Sequence, residues 1–564
     1  MARARLALLG CGMLIACSGE TSEPPTPAAA TTPTPAANTP SSTNTTTAAS
    51  SILPAGDPTD FTDQTNVKNT VHDFGYSDDV NIMVRQFAGG AASGDLDNDG
   101  DLDILVLRGN LEPNILYRNE TGSTFTDIAA ASGIANSLGP NTNGRHSGAT
   151  FADLDGDGDL DVLLGGLEGD PTKIYLNDGF GAFTDATAGS GLDLLSSDYT
   201  VSMALGDYDG DGDLDIAMAH WGTPRNPAVP GETETLWRND SDSTSGLQFT
   251  AVSQSSGIAD LLALDLPQGV LGPEYDYSFA PSFTDIDDDG DQDLLIVSDF
   301  RGSRILLNQG DGTFVLSTFT PDDENGMGSA VGDYDNDGDM DWFISSINGN
   351  RLFENLGGGN FRRASESGVE PGGWGWGSCF ADFNADGWLD IYQTNGWEAG
   401  KDPSASSYVN DTSRLWMNNG DGTFTDQAAT STMVDTDQGR GIICDDFDND
   451  GDVDVLLLTA ESENAAIFWE NQLTGDNYVQ VRLRGIAPNT FAIGARVELT
   501  IADTVQTRQV AINSNFTSHN STVQTFGMGD QTSAGLRVVW PDGAETIRAS
   551  ISANQRLVID HPSR

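Results

Sequence analysis

One nine-residue pattern, DxDxDGDxD, returns along this chain so regularly that it decides what kind of fold the chain can adopt. It runs from Asp95 to Asp103, Asp153 to Asp161, Asp207 to Asp215, Asp285 to Asp293, Asp333 to Asp341 and Asp446 to Asp454, with a variant from Asp382 to Asp390. The first residues of these seven loops are separated by 58, 54, 78, 48, 49 and 64 positions. Such a period is the size of a four-stranded propeller blade whose outer loops vary in length.

The surroundings of each loop repeat as well. A strand of Gly and small residues precedes it, and an apolar strand follows, as in Ile104-Leu105-Val106-Leu107 and Leu294-Leu295-Ile296-Val297. A third strand resembles Asn114-Ile115-Leu116-Tyr117-Arg118-Asn119, and a Gly-rich hairpin then leads to a strand such as Gly422-Thr423-Phe424-Thr425-Asp426. The last repeat has Ala466 to Asn471 but no Phe-Thr-Asp strand after it, whereas Asp60-Phe61-Thr62-Asp63 stands alone at the front. The N-terminal strand is therefore expected to complete the last blade and close the ring, which removes an open sheet edge.

Alternating acids on a tight turn converge on one hard cation while the residues between them point away. The candidate ligands are Asp95, Asp97, Asp99, Asp101 and Asp103 in the first loop, and Asp153, Asp155, Asp157, Asp159 and Asp161 in the second. The third offers Asp207, Asp209, Asp211, Asp213 and Asp215, and the fourth Asp285, Asp287, Asp289, Asp291 and Asp293. The fifth offers Asp333, Asp335, Asp337, Asp339 and Asp341, the sixth Asp382, Asn384, Asp386, Trp388 and Asp390, and the seventh Asp446, Asp448, Asp450, Asp452 and Asp454. Carboxylates at positions 1, 3, 5 and 9, with the backbone carbonyl of position 7, suit Ca²⁺, and Gly at position 6 permits the turn. Mg²⁺ dehydrates too reluctantly for such a cage. About seven Ca²⁺ ions are expected, the sixth site being occupied but weaker because it holds fewer carboxylates. Unfilled acidic turns are the bland alternative, and they would repel themselves at every repeat.

An EF-hand shares the DxDxDG opening but needs Glu at position 12 and flanking helices. Position 12 is Val106, Leu164 and Ile296 in the first, second and fourth loops, and the flanks are strand-like. The paired glycines of a calcium-binding β-roll are missing too.

The formal charge of −59, from 85 acids against 26 basic residues, argues against nucleic acid and anionic lipid as partners. Seven Ca²⁺ ions would bring −59 only to −45, so most of the acidity faces solvent. At the N-terminus Arg3 and Arg5 precede an apolar stretch, and Leu14-Ile15-Ala16-Cys17 resembles a lipobox whose Cys17 would be lipidated. Residues 18–57 are rich in Thr, Pro, Ala and Ser and read as a disordered tether. The only membrane contact expected is this lipid anchor, with the chain exported to the bacterial outer membrane or cell surface. Export permits a disulfide between Cys379 and Cys444. They lie three and two residues before their loops, so strand alternation points them to opposite faces and both read as buried free thiols.

At the C-terminus Asn477-Tyr478-Val479-Gln480-Val481, Ile493-Gly494-Ala495-Arg496-Val497, Ser518 to Ser521, Phe526-Gly527-Met528-Gly529 and Val539-Trp540-Pro541-Asp542-Gly543 follow in order. With the DxDxDG loops and the LYxN and GxFTD strands they resemble the cartilage acidic protein family, whose FG-GAP/VCBS repeats precede an ASPIC/UnbV module. The resemblance implies an all-β chain: a seven-bladed β-propeller over residues 58–474 and a small β-sandwich-like domain over 475–564, after the signal segment of 1–17. It implies calcium binding and no established reaction. Asn384, Trp388 and the long insertion between the third and fourth loops depart from the pattern.

The expected role is an adhesion, ligand-binding or scaffold module for an extracellular protein or glycan, and not an enzyme. The alternative is a calcium-dependent carbohydrate-active enzyme such as a polysaccharide lyase. Arg145, His146 and Arg440 are the basic residues that such chemistry would draw on. His146 and His220 are placed near an end of the propeller, and Trp374, Trp376, Trp388, Trp397 and Trp416 cluster in the sixth repeat for blade packing or for stacking on a ligand.

Overall fold

The protein is described here by a computed structural model that covers residues 61–564 except 67, 69, 71–85, 88, 109–110, 123, 242–245, 265, 267–268, 270, 348, 398–406, 461–465 and 474. The lipobox at Cys17, the tether and Asp60 lie outside the described residues. Within them, seven sheets of four antiparallel strands account for the repeats. The first strands of successive blades are neighbours round the ring, and that of the seventh (Gly439–Asp445) lies beside that of the first (Ala91–Gly94). Helix is brief among the described residues: Ala129–Ser132, Ile258–Leu262, a 3₁₀ turn at Leu192–Leu194, and helical residues at 86–87 and 407–408. None of these is long and apolar enough to cross a membrane.

Closure follows the sequence reading. Phe61–Asp63 is the outer strand of the seventh blade and pairs with Ala466–Asn471, Phe61 opposite Asn471. Phe61 is buried and meets Phe383 edge-on at 5.9 Å. Lys68, just beyond, reaches Glu470 at 2.6 Å and Asp448 at 3.5 Å, so the N-terminal segment also braces the seventh loop.

The blades are clipped together by the Asn that ends each third strand. Its amide donates to the position-2 carbonyl of the preceding blade's loop: Asn177 to Leu96 at 2.9 Å, Asn308 to Tyr208 at 2.7 Å, Asn418 to Tyr334 at 2.8 Å. Round the closed ring, Asn119 donates to Phe447 at 2.8 Å and Asn471 to Phe383 at 2.9 Å. The same amide reaches the position-8 carbonyl of its own loop, as Asn308 does to Gln292 at 3.0 Å. These carbonyls are buried, so the bond meets a need that water cannot.

The cysteine reading is corrected. Cys379 and Cys444 form a disulfide, with Cα atoms 6.6 Å apart. They sit on the first strands of adjacent blades, Gly375–Ala381 and Gly439–Asp445. Blades stack front to back, so residues meet across the gap when they point to opposite faces of their own sheets. The parity that seemed to separate the thiols is what brings them together.

The C-terminal unit has two sheets. One pairs Asn477–Arg484 with Gln524–Gly529 and, in parallel, with Gln555–Asp560; the other orders Thr504–Gln509, Arg496–Ile501, Ser533–Val539 and Glu545–Ser552. Its core, with Val479, Leu499, Phe526 and Trp540, is continuous with the core of the first three blades through Phe151, Phe491 and Ile512. The segment between the two sheets enters the propeller axis. Ile512 O accepts from Leu205 N–H at 2.9 Å, Asn515 O from Ser329 N–H at 3.2 Å and Ser378 N–H at 3.4 Å, and His519 O from Ser93 N–H at 3.3 Å. Asn513 Oδ1 takes Phe283 N–H at 2.7 Å, His519 Nε2 takes Phe151 N–H at 2.8 Å, and Asn515 donates to Ile442 O at 2.7 Å. All seven first strands thus bond to one plug, residues 510–523. A Cβ on Gly441 would sit 2.1 Å from Gly89 O and 2.4 Å from Ser518 Oγ, which is why that strand carries glycine there. At the plug's tip the buried Phe516 meets Trp376 at 5.3 Å and Phe279 at 5.4 Å.

Two outcomes follow. Asn308→Ala leaves the buried carbonyls of Tyr208 and Gln292 without a donor and is expected to cost about 2–4 kcal/mol in urea unfolding, whereas the exposed Gln309→Ala stays within about 0.5 kcal/mol. Deleting residues 18–56 is expected to leave the chain monomeric by light scattering, while deleting 18–63 uncovers Ala466–Asn471 as an edge and produces oligomers. Identical behaviour of the two truncations would show that the first strand does not seal the ring.

Candidate metal centres

Each loop turns through two left-handed residues, at positions 4 and 6. Position 6 is always Gly, with φ between 92° at Gly387 and 103° at Gly451. Position 4 is Asn98, Gly156, Gly210, Asp288, Asn336, Ala385 and Asn449 in turn, with φ from 54° to 76°. Asn, Asp and Gly tolerate this region; Ala385 is the exception, a further departure of the sixth loop.

The five acidic positions do different work. Position 9 is a brace: Asp293 accepts Ile286 N–H at 2.9 Å on one oxygen and Asn308 N–H at 2.7 Å on the other. The pattern recurs in every loop, as at Asp103 with Leu96 and Asn119 and at Asp454 with Phe447 and Asn471. Position 1 caps the turn, Asp153 accepting Gly156 N–H at 2.8 Å and Gly158 N–H at 3.0 Å. In two loops position 7 bridges to the preceding loop: Asn98 donates to Asp159 at 2.9 Å and Asn449 to Asp101 at 2.6 Å.

Positions 1, 3, 5 and 9 converge. Oxygens of Asp95, Asp97 and Asp99 lie within 4.8 Å of one another, as do those of Asp153, Asp155 and Asp161; Asp207, Asp209 and Asp215; Asp285, Asp287 and Asp289; and Asp333, Asp335 and Asp341. Several of these oxygens are buried without a hydrogen-bond partner, Oδ1 of Asp95, Asp97, Asp209, Asp287 and Asp448 and Oδ2 of Asp333, as is Oδ1 of Asp452 at position 7. A carboxylate oxygen buried among other carboxylates with no donor needs a cation, so these loops fit a metal. Burial, and after it the charge of Asp450, pushes the Asp452 carboxyl up to about 9, and burial pushes Asp103, Asp161 and Asp293 up to about 8.

The sixth loop is more self-contained. The Asn384 amide donates to Asp386 at 3.0 Å, and Asp382 accepts N–H groups of Gly387 at 2.8 Å and Gly527 at 3.1 Å. Burial and then Asp386 push the Asp382 carboxyl up to about 8, against the opposing charge of Arg508. Trp388 lies beside Gly420.

The C-terminal unit covers this end of the propeller and touches position 1 of several loops. Arg482 pairs with Asp95 at 2.5 Å, Gln480 donates to Asp446 at 2.7 Å, and the Thr490 hydroxyl donates to Asp153. The buried Arg508 faces the charges of both Asp333 and Asp382. Reading the sequence for repeats missed these residues because none belongs to one. Gln480 fell within a motif of the C-terminal module, but nothing in the motif says where it docks.

The other sequence candidates are closed away. His146 is buried, 2.6 Å from Ser137 Oγ, and burial lowers its pKa to about 4. His220 is also buried, its ring nitrogens facing the carbonyls of Tyr199 and Glu234 at 2.9 and 3.3 Å. Arg145 pairs with Glu168 at 3.1 Å and Asp170 at 3.2 Å. Arg440 is buried with its guanidinium 4.0 Å over the Trp376 ring. Of the five tryptophans, Trp374, Trp376 and Trp397 form one stack, with 4.0 Å between Trp374 and Trp397. Trp416 lies in the core between blades and Trp388 at its loop, both apart from that stack.

Comparison with known proteins accords with this architecture. The description "FG-GAP-like repeat" matches residues 95–164, 153–218, 285–344 and 333–392, and "ASPIC and UnbV" matches 485–564. Cartilage acidic protein 1 of Mus musculus is 26% identical over 513 residues, covering 84% of this chain and 73% of that protein. The Homo sapiens protein of the same name is 25% identical over 512 residues, 84% of this chain and 71% of its own length. Among solved structures the Dos1 propeller aligns at 10% identity with a TM-score of 0.34, over 77% of this chain and 95% of that one, too loosely to carry an argument. The chain is an all-β protein of FG-GAP-like repeats with a C-terminal ASPIC and UnbV module, and it is homologous to cartilage acidic protein 1.

Proposed function

We propose that this protein is a calcium-bearing ligand-binding or scaffold module that works outside the cytoplasm, exported and held at the membrane surface by lipidated Cys17. The observation that carries the calcium reading is the set of buried, partnerless carboxylate oxygens converging within single loops. Oxygen-only donors at flexible spacing favour Ca²⁺ over Mg²⁺, and FG-GAP repeats commonly bind Ca²⁺.

A binding role, in preference to catalysis, is supported by the burial of His146 and Arg440 and by the paired state of Arg145. The loop end of the propeller lies under the C-terminal unit, so the partner's surface is assigned to the opposite end. There Tyr199, Tyr275, Phe300, Trp397 and Tyr408 are only partly buried round an aromatic cluster. Partly exposed rings suit a sugar face or an apolar protein surface. Turnover of an acidic polysaccharide, lost in Arg145→Ala, would replace this reading with an enzymatic one.

With free calcium about tenfold above Kd, each site adds roughly 1.4 kcal/mol, on the order of 10 kcal/mol over seven independent sites. Excess chelator is expected to lower the thermal midpoint sharply, and an unchanged midpoint would remove calcium from the account. In a calcium titration the sixth loop is expected to fill last, since it has three carboxylates and Arg508 beside it. Asp386→Ala should then abolish the weakest binding step, and an unchanged isotherm would make the sixth loop a closed turn and not a site.

A further inference from the structure

We propose that filling of the loops and docking of the C-terminal unit are one coupled equilibrium, so that calcium drives the plug into the propeller axis. This rests on the calcium reading above and adds to it a role for Gln480, Thr490 and Arg482.

The coupling lies in shared carboxylates. Asp446 shapes its loop by accepting Asn449 N–H at 2.7 Å and Gly451 N–H at 2.8 Å, and its Oδ2 also receives Gln480 at 2.7 Å. Asp153 likewise caps its turn and receives Thr490. At Asp95 the division is sharper: Oδ2 takes Arg482, while Oδ1 is buried and has no hydrogen-bond partner. One oxygen serves the docked unit and the other is left for the loop's ion.

The sign of the coupling follows from the donors. An empty loop holds five carboxylates in nine residues and opens by self-repulsion, which moves position 1 off its partner. Gln480, Thr490 and the Gly527 N–H are neutral and cannot replace the missing cation. They hold the carboxylate only while the loop keeps it in place, since a hydrogen bond is lost once its acceptor moves away. Cations of the unit serve other loops, Arg482 at Asp95, Arg496 at Asp288 and Arg508 facing Asp333 and Asp382, whereas position 1 of the second and seventh loops receives the neutral Thr490 and Gln480. Because Thr490 and Gln480 lie on the same unit as residues 510–523, a shift at the loops withdraws Asn515 and His519 from the first strands.

The full-length chain tests this by hydrogen exchange of peptides covering 510–523, read against blade peptides, across a calcium titration that stops short of global melting. Reciprocity requires that weakening the contact weakens the ion. Gln480→Met and the isosteric Thr490→Val are each expected to raise the calcium Kd of the affected step about fivefold or more and to speed exchange of the plug, with excess calcium restoring protection. Arg537→Gln, on the far sheet, is expected to change neither. Thr490→Val keeps the test open should Gln480→Met fail to fold. If calcium binds both variants as tightly as the parent, or leaves plug exchange unchanged or faster while the blades stay protected, the coupling is overturned and the calcium sites stand. If the parent binds no calcium by direct metal analysis, the calcium reading fails and the coupling with it.

Discussion

The structure hangs on a buried carboxylate. At position 9 of each loop an aspartate is taken out of water, and a charge in that setting is tolerable only when its oxygens are met. Each is met twice, by the N–H at position 2 of its own loop and by the N–H of the third strand's Asn. That Asn then reaches the previous blade. Turn, blade and ring are therefore assembled through one Asp–Asn pair per blade, and the loop whose other acids converge is the loop that spaces the blades. Acid convergence and blade packing are two uses of one piece of backbone.

Much of this was legible in the sequence. The period of the loops specified repeating four-stranded units, and the stray strand at Phe61 specified how they close, because a missing outer strand and a spare one of the same pattern are complementary. What the sequence hid were contacts between elements that do not repeat. The disulfide between Cys379 and Cys444 was concealed because parity was judged within one sheet when the geometry that matters lies between two. The aspartates of a loop look alike in the sequence, yet position 9 is a brace, position 7 links neighbours in two loops, and position 1 is a cap that several loops share with another domain. Ala385 escaped notice because its departure lies in a backbone angle and not in a ligand.

The plug was hidden for the same reason. Residues 510–523 carry no pattern that names a channel, although small residues such as Gly441 had already made room for them. With the plug in place the axis is a filled core, and Phe516 joins the C-terminal unit to the aromatic cluster at the far end of the propeller. The two ends of the molecule are thus mechanically continuous through a single side chain in van der Waals contact with Trp376 and Phe279.

The stitch at the seventh blade has a consequence in time. Thr65 bonds to a residue 403 positions later, Phe468, so the first strand to be synthesised is the last to find its partner. At about 5–20 residues per second, the interval is roughly 20–80 s. Throughout it, Phe61 and the growing array of blades have nothing to close against. A chain built this way cannot close its ring as it is made; closure waits for the strand Ala466–Asn471.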